Sequence, residues 1–149
     1  MLTVDQNEEL TRVGPGTPMG ELLRRYWYPI AFEQDFDGVP TKTVRLLGEN
    51  WTLFKTPKAG RYGIVAEACP HRSASLTYGV VHEDGIRCGY HGWKWDFEGR
   101  CVEQPAEADN QNFRDRVQQK AGKAQVMAGM IWVYVGPDPA PELPRFDVF

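Results

Sequence analysis

Four residues near the middle of the chain have types and spacing that bind metal: Cys69 and His71 around Pro70, then Cys88 and His91 around Gly89-Tyr90. A cysteine thiolate is a soft, charged ligand, and an imidazole is a neutral nitrogen ligand. The order C-x-H followed by C-x-x-H offers one of each per arm. A [2Fe–2S] centre with two sulfur ligands on one iron and two nitrogen ligands on the other takes that set, provided the arms lie side by side. Structural zinc also accepts two cysteines and two histidines. Zinc modules pair like ligands along the chain, as C-x₂₋₄-C and H-x₃₋₅-H, and neither pairing occurs here.

The flanking sequence must supply two arms on a stiff support. Tyr62 to Glu67 reads as a strand running into the first arm. Gly85 to Arg87 and Lys94 to Phe97 read as strands around the second, with a turn at Glu98-Gly99. Pro70 fixes one backbone angle of the first loop. Gly89 and Gly92 let backbone approach a bound group closely. Trp93 and Trp95 alternate on a strand, so both indoles share a face, and one is expected to shield the site from water. Tyr90 is placed to stack over the loop or to donate a hydrogen bond. Arg72 reads as a solvated charge and Cys101 as a small buried hydrophobe. His82, in V-H-E-D-G, reads as an exposed turn residue.

Further out, Thr17-Pro18 is a helix start, with Thr as cap and Pro at the first position. Met19, Leu22, Leu23 and Tyr26 then form one apolar face, and Pro29 ends the helix. Val44, Leu46, Trp51, Leu53 and Phe54 flank a turn at Gly48-Glu49-Asn50, which implies a hairpin. A second hairpin is expected from Ala124–Met127 and Met130–Val135 around Ala128-Gly129. The polar stretch Asp109 to Lys120 reads as a loop or an exposed helix. Many short strands with regular turns imply an antiparallel sandwich or small barrel. The tail G-P-D-P-A-P-E-L-P-R-F has the composition of a linker.

Composition narrows the functional classes. The chain has 149 residues, enough for one core, with a net charge of −3 and 25% charged residues. No bulk positive field draws nucleic acid or an anionic membrane. No apolar run approaches a membrane span. The acidic start M-L-T-V-D-Q-N-E-E-L is unlike a signal peptide. Two of three cysteines belong to the motif, so a disulfide framework is not expected and a reducing, cytoplasmic setting fits.

The run C-P-H-R-S-A-S-L-T-Y-G-V-V-H-E-D-G-I-R-C-G-Y-H-G-W-K-W-D-F-E-G-R-C resembles the Rieske segment of aromatic-ring-hydroxylating oxygenases, in which Tyr-His-Gly-Trp recurs. The opening V-G-P-G-T-P-M-G-E-L-L-R-R-Y-W-Y-P-I-A-F is similar to the entry of the phthalate-dioxygenase-like large subunits. The resemblance implies a mostly β fold: an antiparallel sandwich with a smaller cluster-binding subdomain of two ligand loops and one short N-terminal helix. It implies that Cys69 and Cys88 bind the inner iron, and His71 and His91 the outer one. It further implies a domain over residues 1–136 and a tail over 137–149 leading to a catalytic domain. Respiratory Rieske proteins carry an extra cysteine beside each ligand loop; this chain has none there, which points to the oxygenase type and the lower end of the Rieske potential range.

Oxygenases of this kind need a mononuclear Fe(II) held by two histidines and a carboxylate. The chain has three histidines, so after the cluster only His82 remains. The catalytic iron is therefore expected outside this chain; the resemblance implies that it sits on a neighbouring subunit of a ring-shaped homo-oligomer, with a reductase or ferredoxin as electron donor. No G-x-G-x-x-G nucleotide motif is present. Two alternatives stay open: a freestanding Rieske ferredoxin and a zinc-stabilised structural module.

Overall fold

A computed structural model describes residues 1–107, 111–145 and 147. Among the described residues, ten strands form two antiparallel sheets. The larger has the order β1 (Tyr28–Phe32), β10 (Met130–Tyr134), β9 (Ala121–Met127), β4 (Tyr62–Ala66), β3 (Glu49–Lys55), β2 (Thr41–Leu46). The smaller runs β5 (Val80–His82), β6 (Gly85–Arg87), β7 (Lys94–Trp95), β8 (Cys101–Glu103). The expected sandwich with a smaller subdomain is present.

Strands β3 and β4 form the wall between the two halves, and side-chain alternation explains how. Trp51 and Leu53 of β3 join Tyr62 and Ile64 of β4 in a core with Ile131 and Val133. Phe54 and Val65 point the other way, into a second core with Leu76, Ile86, Trp93, Trp95 and Cys69 and Cys88 themselves. Each fully buried large side chain contributes about 1.5–3 kcal/mol before entropy is counted. Between the halves, the Oγ atoms of Thr43 and Thr52 lie 2.7 and 2.9 Å from that of Thr77. Thr41 donates to the Thr77 carbonyl at 2.7 Å. This threonine knot fixes the short helical turn Leu76–Tyr78, which links the first ligand loop to β5.

Both hairpins form. The first turns at Leu47-Gly48, one position earlier than the sequence suggested, with φ of 47° and 80°. Two consecutive left-handed residues match the twist of the flanking strands. Glu49 already belongs to β3, where Arg24 and Lys120 grip its carboxylate. The second hairpin turns as expected at Ala128-Gly129, again with two positive φ values.

The N-terminal region differs more. Helix α1 (Val4–Thr11), which the apolar pattern did not signal, rests on a Thr3–Gln6 capping box and buries no residue. Helix α2 (Pro18–Leu23) starts at the expected Thr17 cap but ends well before Pro29, which lies in β1. Only part of the anticipated apolar face turns inward: Met19 and Leu23 are half-buried, whereas Leu22 and Tyr26 are exposed. Gly20 and Arg24 are buried instead. A side chain at Gly20 would strike the Gly14 carbonyl at 2.2 Å. The Arg24 guanidinium donates to the carbonyls of Val13 and Leu47 and to Glu49. Backbone contact and one buried cation hold this helix, so Leu22 stays outside.

Of the stretch Asp109 to Lys120, residues 109 and 110 lie outside the described residues; Gln111–Arg114 form one helical turn, α3, and a loop follows. The tail packs back on the sandwich. Trp27 Nε1 donates to the Pro141 carbonyl at 2.9 Å, and the Tyr134 hydroxyl to the Pro137 carbonyl at 2.7 Å. Ala140 and Leu143 cover Trp27, Trp132 and Tyr134. Among the described residues, no helix is long and apolar enough to cross a membrane.

Candidate metal centre

The two ligand arms are the same turn built twice. In the first, Cys69 N donates to the Ala74 carbonyl at 2.9 Å, and Ser73 N to the Cys69 carbonyl at 2.8 Å. In the second, Cys88 N donates to the Trp93 carbonyl at 2.8 Å, and Gly92 N to the Cys88 carbonyl at 3.0 Å. The fifth residue of each turn has a positive φ, 56° at Ser73 and 76° at Gly92. Glycine fits the second without strain. A side chain there would press on Pro105 Cγ at 3.0 Å, and one at Gly89 on the Tyr78 carbonyl at 3.1 Å.

The turns meet tip to tip. Cys69 and Cys88 are buried, 1% and 3% exposed, and unpaired by any disulfide. Their sulfurs are close enough to interact. His71 and His91 lie further out, with ring centroids 4.6 Å apart. His71 is half-buried and His91 exposed. Thus the chain presents a sulfur pair inside and an imidazole pair at the rim. Among the described residues, no three metal-binding side chains converge on one ion position. A sulfur pair and a nitrogen pair match the donor set of a two-iron cluster with sulfur and nitrogen ends.

Electrostatics fits the same group. Burial pushes the Cys69 thiol up to about 11, against the pull of the His71 backbone N–H. A thiolate in that setting requires a compensating cation, which an iron held there would supply. The His71 pKa is lowered, first by burial and then by the charges of His91 and Arg72. A lowered value keeps the imidazole neutral, as ligation demands. The Trp95 indole N–H is fully buried and bonds to no oxygen or nitrogen. It stands near the Cys69 sulfur, where it favours the thiolate, although outside strict hydrogen-bond geometry to the neutral thiol.

Both tryptophans enter this core, their centroids 6.0 Å apart. Trp93 lies flat against His71, with centroids 4.4 Å apart and planes 3° off parallel. Tyr90 is exposed, and its ring sits 3.8 Å from that of His91. Arg72 is exposed and Cys101 buried, as expected. His82 departs from expectation. It is half-buried at the end of β5, and Arg87 Nε approaches its Nε2 at 3.4 Å. The β5–β6 turn is so tight that His82 pairs directly with Gly85, which brings its ring to Arg87.

Sequence reasoning missed the residues that brace the arms. Gln119, 4% exposed, donates through Nε2 to the carbonyls of Ala66 and Ala68, just before Cys69. It is about fifty positions away in sequence, so no local pattern could reveal it. Arg87 bonds to the Gly92 carbonyl and to Glu103. Its place beside Cys88 was the available signal.

Comparison with known proteins agrees with this geometry. Residues 26–119 match the family described as "Rieske [2Fe-2S] domain", and the chain belongs to that family. It carries the family's [2Fe–2S] cofactor and serves electron transfer. It is 50% identical to the oxygenase subunit of a 5,5'-dehydrodivanillate O-demethylase from Sphingobium sp. (strain SYK-6), over 100% of this chain and 36% of that protein. It is 40% identical to the oxygenase subunit of phthalate 4,5-dioxygenase from Pseudomonas putida, over 98% of this chain and 33% of that protein. A solved complex of the oxygenase and ferredoxin of carbazole 1,9a-dioxygenase superposes with a TM-score of 0.68 at 27% identity, over 80% of this chain and 31% of that one. The chain thus spans about a third of the length of these relatives.

Proposed function

We propose that Cys69 and Cys88 hold the inner iron, that His71 and His91 hold the outer one, and that this chain is the electron-relay portion of a ring-hydroxylating oxygenase subunit. The observation that carries the assignment is the separation of the four donors into a buried sulfur pair and a rim imidazole pair. When bound, the cluster supplies one-electron redox chemistry. The residues of the chain do the rest. The tryptophan-rich core excludes water from the sulfur side. Neutral imidazoles at the rim add no negative charge, which eases electron entry. His91 and the Tyr90 ring beside it present the exposed end to a partner.

On this reading, residues 1–136 are the relay domain and 137–149 lead toward a catalytic domain with a mononuclear iron on a neighbouring subunit of a homo-oligomer. The one-third coverage of the relatives supports that reading. The donor is a ferredoxin or reductase, a reading supported by the carbazole 1,9a-dioxygenase complex, in which an oxygenase is paired with a ferredoxin. The substrate of the whole enzyme is an aromatic compound, by analogy with the phthalate enzyme. A cytoplasmic setting agrees with three free cysteines.

The test is elemental. Protein purified aerobically from iron-replete cells should be red-brown, with two irons and two acid-labile sulfides per chain. Alanine at any of the four positions should abolish the colour. Stoichiometric zinc without sulfide would overturn the assignment.

A further inference from the structure

The second ligand loop has a bracket that the metal site itself does not require. Arg87 ends β6, immediately before Cys88. Its Nη1 donates to the Gly92 carbonyl at 3.2 Å, so one guanidinium spans both ends of the segment Cys88–His91. Nη1 and Nη2 also grip the two oxygens of Glu103 at 2.9 and 2.5 Å. Nε faces His82. Glu103 comes from β8, paired across the small sheet with Lys94. The loop is therefore tied through one planar side chain to a strand that carries no ligand. A bidentate fork fixes angle as well as distance, which a lysine cannot do.

The bracket also balances charge. The guanidinium and the carboxylate cancel beside the loop, so the pair adds no net field there. Each holds the other ionised: the Arg87 bond lowers the Glu103 pKa, and the Glu103 bond raises that of Arg87.

We propose that Arg87 is a positioning residue for the Rieske centre, clamping the Cys88–His91 loop through Gly92, and that Glu103 both aims it and neutralises its charge. The proposal rests on the ligand assignment above. It assigns the two halves of one ion pair separable effects. Loss of Glu103 leaves an uncompensated cation, which favours the more negative reduced state. Loss of Arg87 leaves an uncompensated anion, which disfavours it, and frees the loop.

The experiment uses Glu103→Gln, Arg87→Met and Arg87→Lys in the iron-loaded protein, with two readouts: reduction potential by voltammetry, and the rate of bleaching in excess chelator. Glu103→Gln should raise the reduced-to-oxidised ratio at fixed potential about threefold, a shift of about +28 mV at 59 mV per tenfold for one electron. Arg87→Met should shift it by a similar factor the other way and bleach several-fold faster. Arg87→Lys should keep a near-native potential yet bleach faster, because it keeps the charge and loses the fork. Should Arg87→Met fail to fold, the near-isosteric Glu103→Gln decides by its potential alone. Native potentials in Glu103→Gln and Arg87→Met, or shifts of the same sign, would overturn the proposal. Absence of iron and sulfide in the unaltered protein would instead strike the ligand assignment.

Discussion

Replacing Trp95 by Phe should lower the reduction potential of the loaded protein. Trp95 is fully buried in the core that holds both cysteines. Its N–H has no oxygen or nitrogen acceptor, and a buried orphan donor costs about 1–3 kcal/mol unless something accepts it. The nearby Cys69 sulfur is a poor acceptor as a thiol. As a thiolate it is a good one, and charge-assisted bonds are about twice as strong as neutral ones. Donors aimed at cluster sulfurs favour the reduced state, whose extra negative charge strengthens the bond. A bond to a charged group is worth about 1.5–3 kcal/mol, but only its difference between oxidation states moves the potential. If that difference is about 1 kcal/mol, the shift is about 40 mV downward for one electron. Phenylalanine keeps an aromatic ring but leaves a void, at about 1–3 kcal/mol of stability. Voltammetry of Trp95→Phe, beside Trp93→Phe as a packing control, separates the two effects. A Trp95→Phe protein with full iron and sulfide content and an unchanged or higher potential would refute the reasoning.

Exchanging His71 or His91 for Cys should also lower the potential, wherever a cluster still assembles, because each swap adds a thiolate; a rise in voltammetry would count against the ligand assignment. The chain alone should hydroxylate no aromatic compound, even with reductase and NADH, since His82 is its only histidine outside the proposed ligand set; oxygen-coupled product formation would contradict this. Glu49 should contribute acid-sensitive stability. Burial opposes its charge, but bonds from Arg24 and Lys120 outweigh that, and its pKa is lowered. The contribution is complete above the ordinary glutamate range and fades as pH falls through the lowered value. Glu49→Gln should therefore unfold at lower temperature than the native chain at neutral pH, by about 1–3 kcal/mol of stability, with the gap narrowing in acid; a gap independent of pH would exclude this role.

The parts legible in the sequence were those whose signal is local. C-P-H and C-G-Y-H marked four donor-type residues that the fold brings to one place, because residue type and spacing carry that signal locally. Ala128-Gly129 marked its hairpin because a glycine between two apolar runs supplies a left-handed position that such a turn needs; Ala128 takes the other at φ 54°. Illegible parts depended on contacts between distant segments. The stripe at Leu22 and Tyr26 pointed to a buried helix face, yet tertiary contact selected Gly20 and Arg24, whose partners are carbonyls and the distant Glu49. His82 looked like a turn residue because V-H-E-D-G is polar, while pairing with Gly85 brought it to Arg87. The metal site shows the same division. Its four candidate donors can be read directly, but the contacts that brace the two arms, Gln119 on one and Arg87 with Glu103 on the other, cannot. On the proposed assignment, donor identity selects the kind of cluster, while the braces and the indole beside Cys69 are the parts expected to act on its potential and lifetime. Two chains with the same C-x-H and C-x-x-H motif can therefore hold the same cofactor at different potentials, and the positions to compare are 87, 95, 103 and 119.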